Sequence, residues 1–251
     1  MNANGIKIII LTLFTICISC MGLSGCTKKS IDDSFIESYT YGLEKRWELT
    51  ELDKGHILNE DNYKRYIRAE LSEISEYDNK GFEDVILAKF CNDYVRLLNQ
   101  ELDSLDSFTS DSWRTEWNQL QDERARLIYI NCEVLKPRFS NEKNRNKYCE
   151  LIFQGKVLPD VQNMMEDICF SRKDENSFYA KVNNTTGENI GYFGINVKII
   201  DENNESIGTT GTGVKNWERD EEKVFTIATS KEVEKVVIDS ITYVARSIEE
   251  N

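Results

Sequence analysis

The chain has one histidine, His56, which follows Gly55 in the polar stretch DKGH. Imidazole suits acid–base work near neutral pH, but it needs a nucleophile or a metal beside it. No HExxH pair and no Ser or Cys at a suggestive spacing accompanies His56, so a solvated loop histidine is expected. The stretch DENNES (201–206) puts Asp201, Asn203 and Glu205 at the first, third and fifth positions of a calcium loop. Position six is Ser206 where that loop needs Gly, and position twelve is Thr212 where it needs a bidentate Glu. A hairpin turn is the better reading. GTTGTG (208–213) is not G-x-G-x-x-G and opens no helix, so it predicts a flat strand rather than a phosphate cradle. Among 44 acids, a carboxylate pair for glycoside hydrolysis would have to be assembled by the fold, and no pair stands out. No cofactor motif and no metal-ligand set emerges.

The most specific chemistry lies at the start. A single Lys7 precedes an apolar run from Ile8 to Ile18, 11 residues long. Crossing a bilayer takes about 20, so this run suits the apolar middle of a secretory signal. Leu23, Ser24, Gly25 and Cys26 follow it. This sequence resembles the bacterial lipobox, in which an apolar residue and two small residues precede an obligatory cysteine. The resemblance implies cleavage between Gly25 and Cys26, a diacylglyceryl thioether on Cys26, and tethering to a membrane. Two acyl chains give lasting attachment where one gives marginal binding. Lys28 and Lys29 follow at once and would favour anionic headgroups.

The signal also sorts the cysteines. Cys17 and Cys20 leave with it, and Cys26 carries lipid. Cys91, Cys132, Cys149 and Cys169 remain, an even number that permits two disulfides in an oxidising compartment. Their alternative is four small buried hydrophobes. Their spacing includes no C-x-x-C knuckle, which argues against zinc.

The chain is acidic, with 44 Asp+Glu against 31 Lys+Arg. Removing residues 1–25 takes away Lys7 and no acid, leaving 30 basic residues and a net charge of −14. Non-specific nucleic-acid binding relies on neutralising phosphates, so it is not expected.

To position any site, residues 30–170 read as helices. Ile31, Phe35, Tyr39, Leu43 and Trp47 recur every fourth residue, and Gly55 supplies a stop. A second helix starts near Asn59 with Tyr63, Tyr66, Ile67, Leu71 and Ile74, and a third runs from Phe82 to about Phe108. A fourth runs from Trp113 to Leu135 before Pro137. A fifth segment, 141–170, contains Gly155 and Pro159, which are expected to break it in two. Charged faces such as NQLQDERAR (118–126) read as solvated helix surface. Trp47, Trp113 and Trp117 fall on apolar stripes, as core residues before cleft residues. The stretch SRKDENS (171–177) reads as a polar linker. Strand candidates follow at 178–182, 192–200, 206–214, 222–228 and 234–245, separated by Asn- and Gly-rich turns.

Within this last part, the order NNTTGENIGYFGINVKIIDENNESIGTT is similar to the FxLYD domain, an immunoglobulin-like module of secreted and lipid-anchored bacterial proteins. The signature Phe-x-Leu-Tyr-Asp falls on Val197, Lys198, Ile199, Ile200 and Asp201. Three of its named side chains differ but stay apolar, and the Asp is kept. The helical part, with YGLEKRWEL (41–49) and RTEWNQL (114–120), is similar to the N-terminal region of Gram-positive lipoproteins that carry this module. The resemblance implies no catalytic residues.

The expected architecture is α+β in two domains. A signal (1–25) precedes an all-α antiparallel helical bundle (26–172) and an immunoglobulin-like antiparallel β-sandwich (173–251). The expected function is a non-enzymatic binding or scaffold module on the outer side of the cell membrane, held there by Cys26, with an envelope protein or cell-wall polymer as partner. The alternatives are a cell-wall-directed enzyme using paired carboxylates and a structural stalk.

Overall fold

A computed structural model describes residues 29–110, 112–229 and 233–245. Among them five helices come first and six strands follow. The helices are α1 (Ile31–Leu52), α2 (Glu60–Ile74), α3 (Val85–Ser104), α4 (Trp113–Leu135) and α5 (Glu142–Glu166). Their starts are capped as the sequence dictates. Ser30 Oγ accepts from Asp33 N at 3.0 Å, and Asn59 and Asn62 exchange side-chain-to-backbone bonds. Asp84 Oδ1 accepts from Ile86 N at 2.7 Å, and Asn141 Oδ1 from Asn144 N at 2.8 Å. Each such cap is worth about 1 kcal/mol. Gly55, at φ 87°, makes the turn after α1. Lys136 turns left-handed after α4, ahead of Pro137.

The apolar stripes meet in one core. Phe35, Tyr39, Leu43 and Trp47 of α1 pack with Ile67 and Ile74 of α2, with Phe90, Tyr94 and Leu98 of α3, and with Ile128 of α4. A buried ionic cluster runs through this half. Glu70 is fully buried and accepts from Arg46 Nη1 at 2.9 Å, Arg124 Nη2 at 3.0 Å and Tyr94 Oη at 2.5 Å. Glu101, also fully buried, sits 3.0 Å from Arg46 Nη1. That approach is too oblique for a hydrogen bond, so charge alone pairs Glu101. Burial pushes the Glu70 carboxyl up, but Arg124 and Arg46 outweigh it and hold Glu70 below the usual range.

Two elements differ from the sequence expectation. Gly155 and Pro159 do not break the fifth segment; α5 runs unbroken through both. Gly155 is where α5 crosses α4, since a Cβ there would come within 2.6 Å of the Ala125 carbonyl carbon. Helix α5 therefore serves two cores: Tyr148 packs into the first, while Val157, Val161 and Met164 pack against the strands. The second difference is at 171–177, where the expected linker forms strand β1. The Asp174 carboxylate accepts from Asn176 N at 3.0 Å and tightens its hairpin turn. Arg172 bonds the Val233 carbonyl and lies 4.9 Å from the Phe178 ring centre. All four residues of β1 are exposed, so no apolar alternation marks it.

The strands β1 (Ser171–Asp174), β2 (Ser177–Asn183), β3 (Ile190–Ile200), β4 (Ser206–Trp217), β5 (Glu222–Ala228) and β6 (Lys235–Ala245) form two antiparallel sheets. Their orders are β1-β2-β5 and β4-β3-β6. Phe178, Ala180, Phe225 and Ile227 from one sheet meet Phe193, Ile195 and Trp217 from the other. Tyr192 lies across the facing glycines Gly194 and Gly213 on β3 and β4. That contact explains the last glycine of GTTGTG: Gly213 makes room for a ring, while Gly211 faces the Asn196 side chain. The DENNE stretch is a hairpin turn, with Asp201 Oδ1 accepting from Asn203 N at 3.0 Å and Glu205 N at 2.9 Å. No described helix is long and apolar enough to cross a membrane.

Candidate functional site

The helical half and the second sheet meet along a cleft of about 380 Å³ between α4, α5 and β6. Three separate patterns build it. On α4, Thr115, Asn118, Gln119 and Asp122 fall at i, i+3, i+4 and i+7, which is one helix face. On α5, Gln154, Leu158, Gln162 and Met165 form the facing stripe. On β6 the wall is made by a bulge. Ser240 pairs with Asn196 and Ile238 with Val197, so Asp239 is an extra residue in the ladder. The bulge switches the inward parity from Val236 and Ile238 to Ile241 and Tyr243, all of which pack on the core. It turns Asp239 and Ser240 toward the cleft, as bulges do near sites.

The wall is fixed in place. Tyr243 Oη donates to the Gln154 carbonyl at 3.4 Å, and Ala245 N donates to Glu150 Oε2 at 2.9 Å, so α5 holds the outer edge of β6. Burial, and then the neighbouring Asp122, push the Tyr243 hydroxyl up. Asp122 itself is pushed up to about 6 by burial alone. Asp239 is paired with Lys198 at 2.9 Å. Gln121 also lines the cleft, and its Nε2 is buried with no acceptor among the described residues. Among the described residues lining the cleft there is no lysine or arginine. The lining is thus mostly neutral amide and hydroxyl, with two carboxylates and an apolar floor of Leu158, Met165 and Ile241. Such a surface exchanges donors and acceptors with an uncharged polar ligand and repels anions.

The remaining candidates stay apart. Gly25 and Cys26 lie outside the described residues. Cys91 is buried on α3, Cys132 half-buried on α4, Cys149 exposed on α5 and Cys169 exposed just beyond it; all four are free thiols, so neither permitted disulfide is formed in this structure. Burial pushes the Cys91 thiol up to about 12. His56 is exposed in the loop after α1. Among the described residues no cluster of His, Cys, Asp or Glu has the geometry to hold a metal. Trp113 and Trp117 meet the Tyr63 ring edge-on, and Trp113 also packs at a tilt on Phe108; neither lines the cleft. The stretch 118–126 is not simply solvated: Asn118, Gln119, Gln121 and Asp122 line the cleft, and Arg124 is buried against Glu70. The glutamines on α4 and α5 were the site residues that sequence reasoning missed. The signal was there, as two facing stripes of amides at helical spacing. No known protein family matches the chain, and no curated protein aligns with it significantly.

Proposed function

We propose that the protein is a lipid-anchored, extracytoplasmic, non-enzymatic binding module whose cleft takes a neutral, hydroxyl-rich envelope glycan. The observation that carries this reading is the amide-lined cleft, with the unsatisfied Gln121 amide as a donor in waiting. The helices act as a bundle raised from the membrane, and the two sheets act as an immunoglobulin-like sandwich of the FxLYD kind. In that reading Val197–Asp201 would carry the signature on β3 and its turn. Titration of the full chain carrying Cys26→Ala with an oligomer of N-acetylglucosamine tests the cleft. Saturable binding that Gln121→Ala together with Gln162→Ala weakens at least tenfold is expected; binding indifferent to both changes refutes the site. Mass spectrometry of the membrane fraction tests the anchor. A diacylglyceryl group on Cys26, with release from the membrane on Cys26→Ala, is expected.

One observation favours a second reading, an envelope hydrolase: Asp122, pushed up to about 6, shares a cleft with Asp239. Against it, no like charge contributes to the Asp122 shift, and Asp239 is occupied by Lys198. Glycan turnover abolished by Asp122→Asn would establish that reading over binding alone.

A further inference from the structure

Among the exposed apolar side chains, three belong to one end of the helical half. Val85 is 80% exposed, Ile86 50% and Ile31 39%. They open α3 and α1, and these two helix starts are bound together: both oxygens of Asp32 accept backbone N–H groups, from Glu83 at 3.0 Å and Asp84 at 2.9 Å. A start of a helix normally buries its apolar residues against the core, yet here Leu87 turns in while the two residues before it point out.

A cavity of about 770 Å³ beside the start of α1 is lined by Lys29, Lys136 and Arg138 together with Asp33, Glu37 and Glu44. Lys136 and Arg138 are exposed beyond the last turn of α4, while Lys29 is held against α1 by Glu37. Charge is balanced around this cavity, so the apolar side chains and the tether set the direction.

The chain outside the structure decides what covers the patch. Cys26 lies five residues before Ile31, a reach of at most ~17 Å fully extended. Once Cys26 carries its acyl chains, these residues cannot leave the neighbourhood of the bilayer surface.

We propose that Ile31, Val85 and Ile86 are a membrane-seating tip. They enter the headgroup layer within reach of the acylated Cys26, so the protein stands on the membrane in one orientation. The inference rests on the anchored reading of Cys26. Exposed apolar side chains held at a bilayer surface gain by burial at the headgroup boundary.

The test uses the full lipidated chain in vesicles of phosphatidylcholine and phosphatidylglycerol, with benzoylphenylalanine in place of Val85. Ile57, 97% exposed in the loop beyond the other end of α1, is replaced likewise as the control. Irradiation is expected to give lipid adducts at position 85 at least tenfold above those at position 57. With the lipid on Cys26 verified by mass, equal yields at both positions overturn the seated tip and leave the anchor standing. Crosslinks from position 85 to a second copy of the chain, in place of lipid, also overturn it. A chain found without lipid on Cys26 overturns both.

Discussion

Replacing Glu70 by Gln should be among the most damaging single changes in the helical half. Its carboxylate accepts four bonds, one from Arg46, two from Arg124 and one from Tyr94. Hydrogen bonds to charged groups are worth about 1.5–3 kcal/mol each, but desolvation of the carboxylate offsets much of their sum. The decisive quantity is charge balance. Arg46 and Arg124 face Glu70 and Glu101, two positive against two negative. Glu70→Gln leaves two buried guanidinium groups sharing one carboxylate. An uncompensated buried charge costs about 3–5 kcal/mol, a large share of the about 5–15 kcal/mol that holds a domain together. With a urea slope of about 2 kcal/mol/M, the midpoint falls by about 1.5–2.5 M. Equilibrium urea unfolding of the Cys26→Ala chain, followed by helix circular dichroism, reads this directly. The double change Glu70→Leu with Arg124→Met leaves Arg46 and Glu101 as a balanced pair and should cost less than Glu70→Gln alone. Glu60→Ala, which removes a surface partner of Lys64, should cost under about 0.5 kcal/mol. A loss below about 1 kcal/mol for Glu70→Gln, or a double change as costly as the two singles added together, refutes the charge-balance reasoning.

The pH dependence follows from the same two kinds of burial. Glu70 titrates below its usual range in the fold, so its contribution is complete above about 4.5 and is lost as pH falls through the folded value. Asp122 has the opposite sign: its folded value of about 6 lies above the ordinary 3.8, so the fold weakens as pH rises between the two. Asp122→Asn should therefore raise Tm at pH 7 and leave it unchanged below pH 3.8, and equal shifts at both would count against burial as the cause. Gly155→Ala should destabilise by about 1–3 kcal/mol because backbone stands in the way. Gly194→Ala should cost less in the same urea assay, since only the Tyr192 ring must move. Cys149 and Cys169 should react with a thiol reagent at once, Cys132 more slowly, and Cys91 only on unfolding; fast labelling of Cys91 would contradict its burial.

The parts of the fold legible in the sequence are those governed by a local rule. The α1 stripe, the Asn59 cap, the Gly55 stop and the left-handed end of α4 before Pro137 each depend on residues within one or two turns. Strand β1 was hidden because it buries nothing, and its cause, the Arg172 contact with Val233, spans 61 positions. Pro159 suggested a break because proline removes one helix bond. The fold tolerates that loss because α5 is clamped on both sides, by Gly155 against α4 and by Val157 and Val161 against the sheets. Arg124 looked like a solvated charge since it sits in the polar stretch 118–126, and its partner Glu70 lies on another helix. Only the fold sets them opposite one another, 54 residues apart. The cleft was partly legible for the same reason. Its amide stripes are local, but their facing arrangement and the Asp239 bulge depend on how α5 meets β6.

Helix α4 links the two proposals. Its first half, through Asp122, lines the cleft, and its last residues, Val134 and Leu135, line the cavity beside the start of α1. Asp122 and Leu135 are 13 residues apart on one helix, or about 20 Å at 1.5 Å per residue. A protein seated on Ile31, Val85 and Ile86 with α4 upright would thus hold its cleft about 20 Å further out than that cavity. That is outside the headgroup layer and beyond most of the surface potential, which decays over about 8–10 Å at physiological salt. At that height Asp122 and Asp239 would feel little of the membrane field, and the cleft would select for the neutral ligand its lining fits. A cleft lying against the lipid would instead need cations to coexist with anionic headgroups, and none is among the described residues that line it.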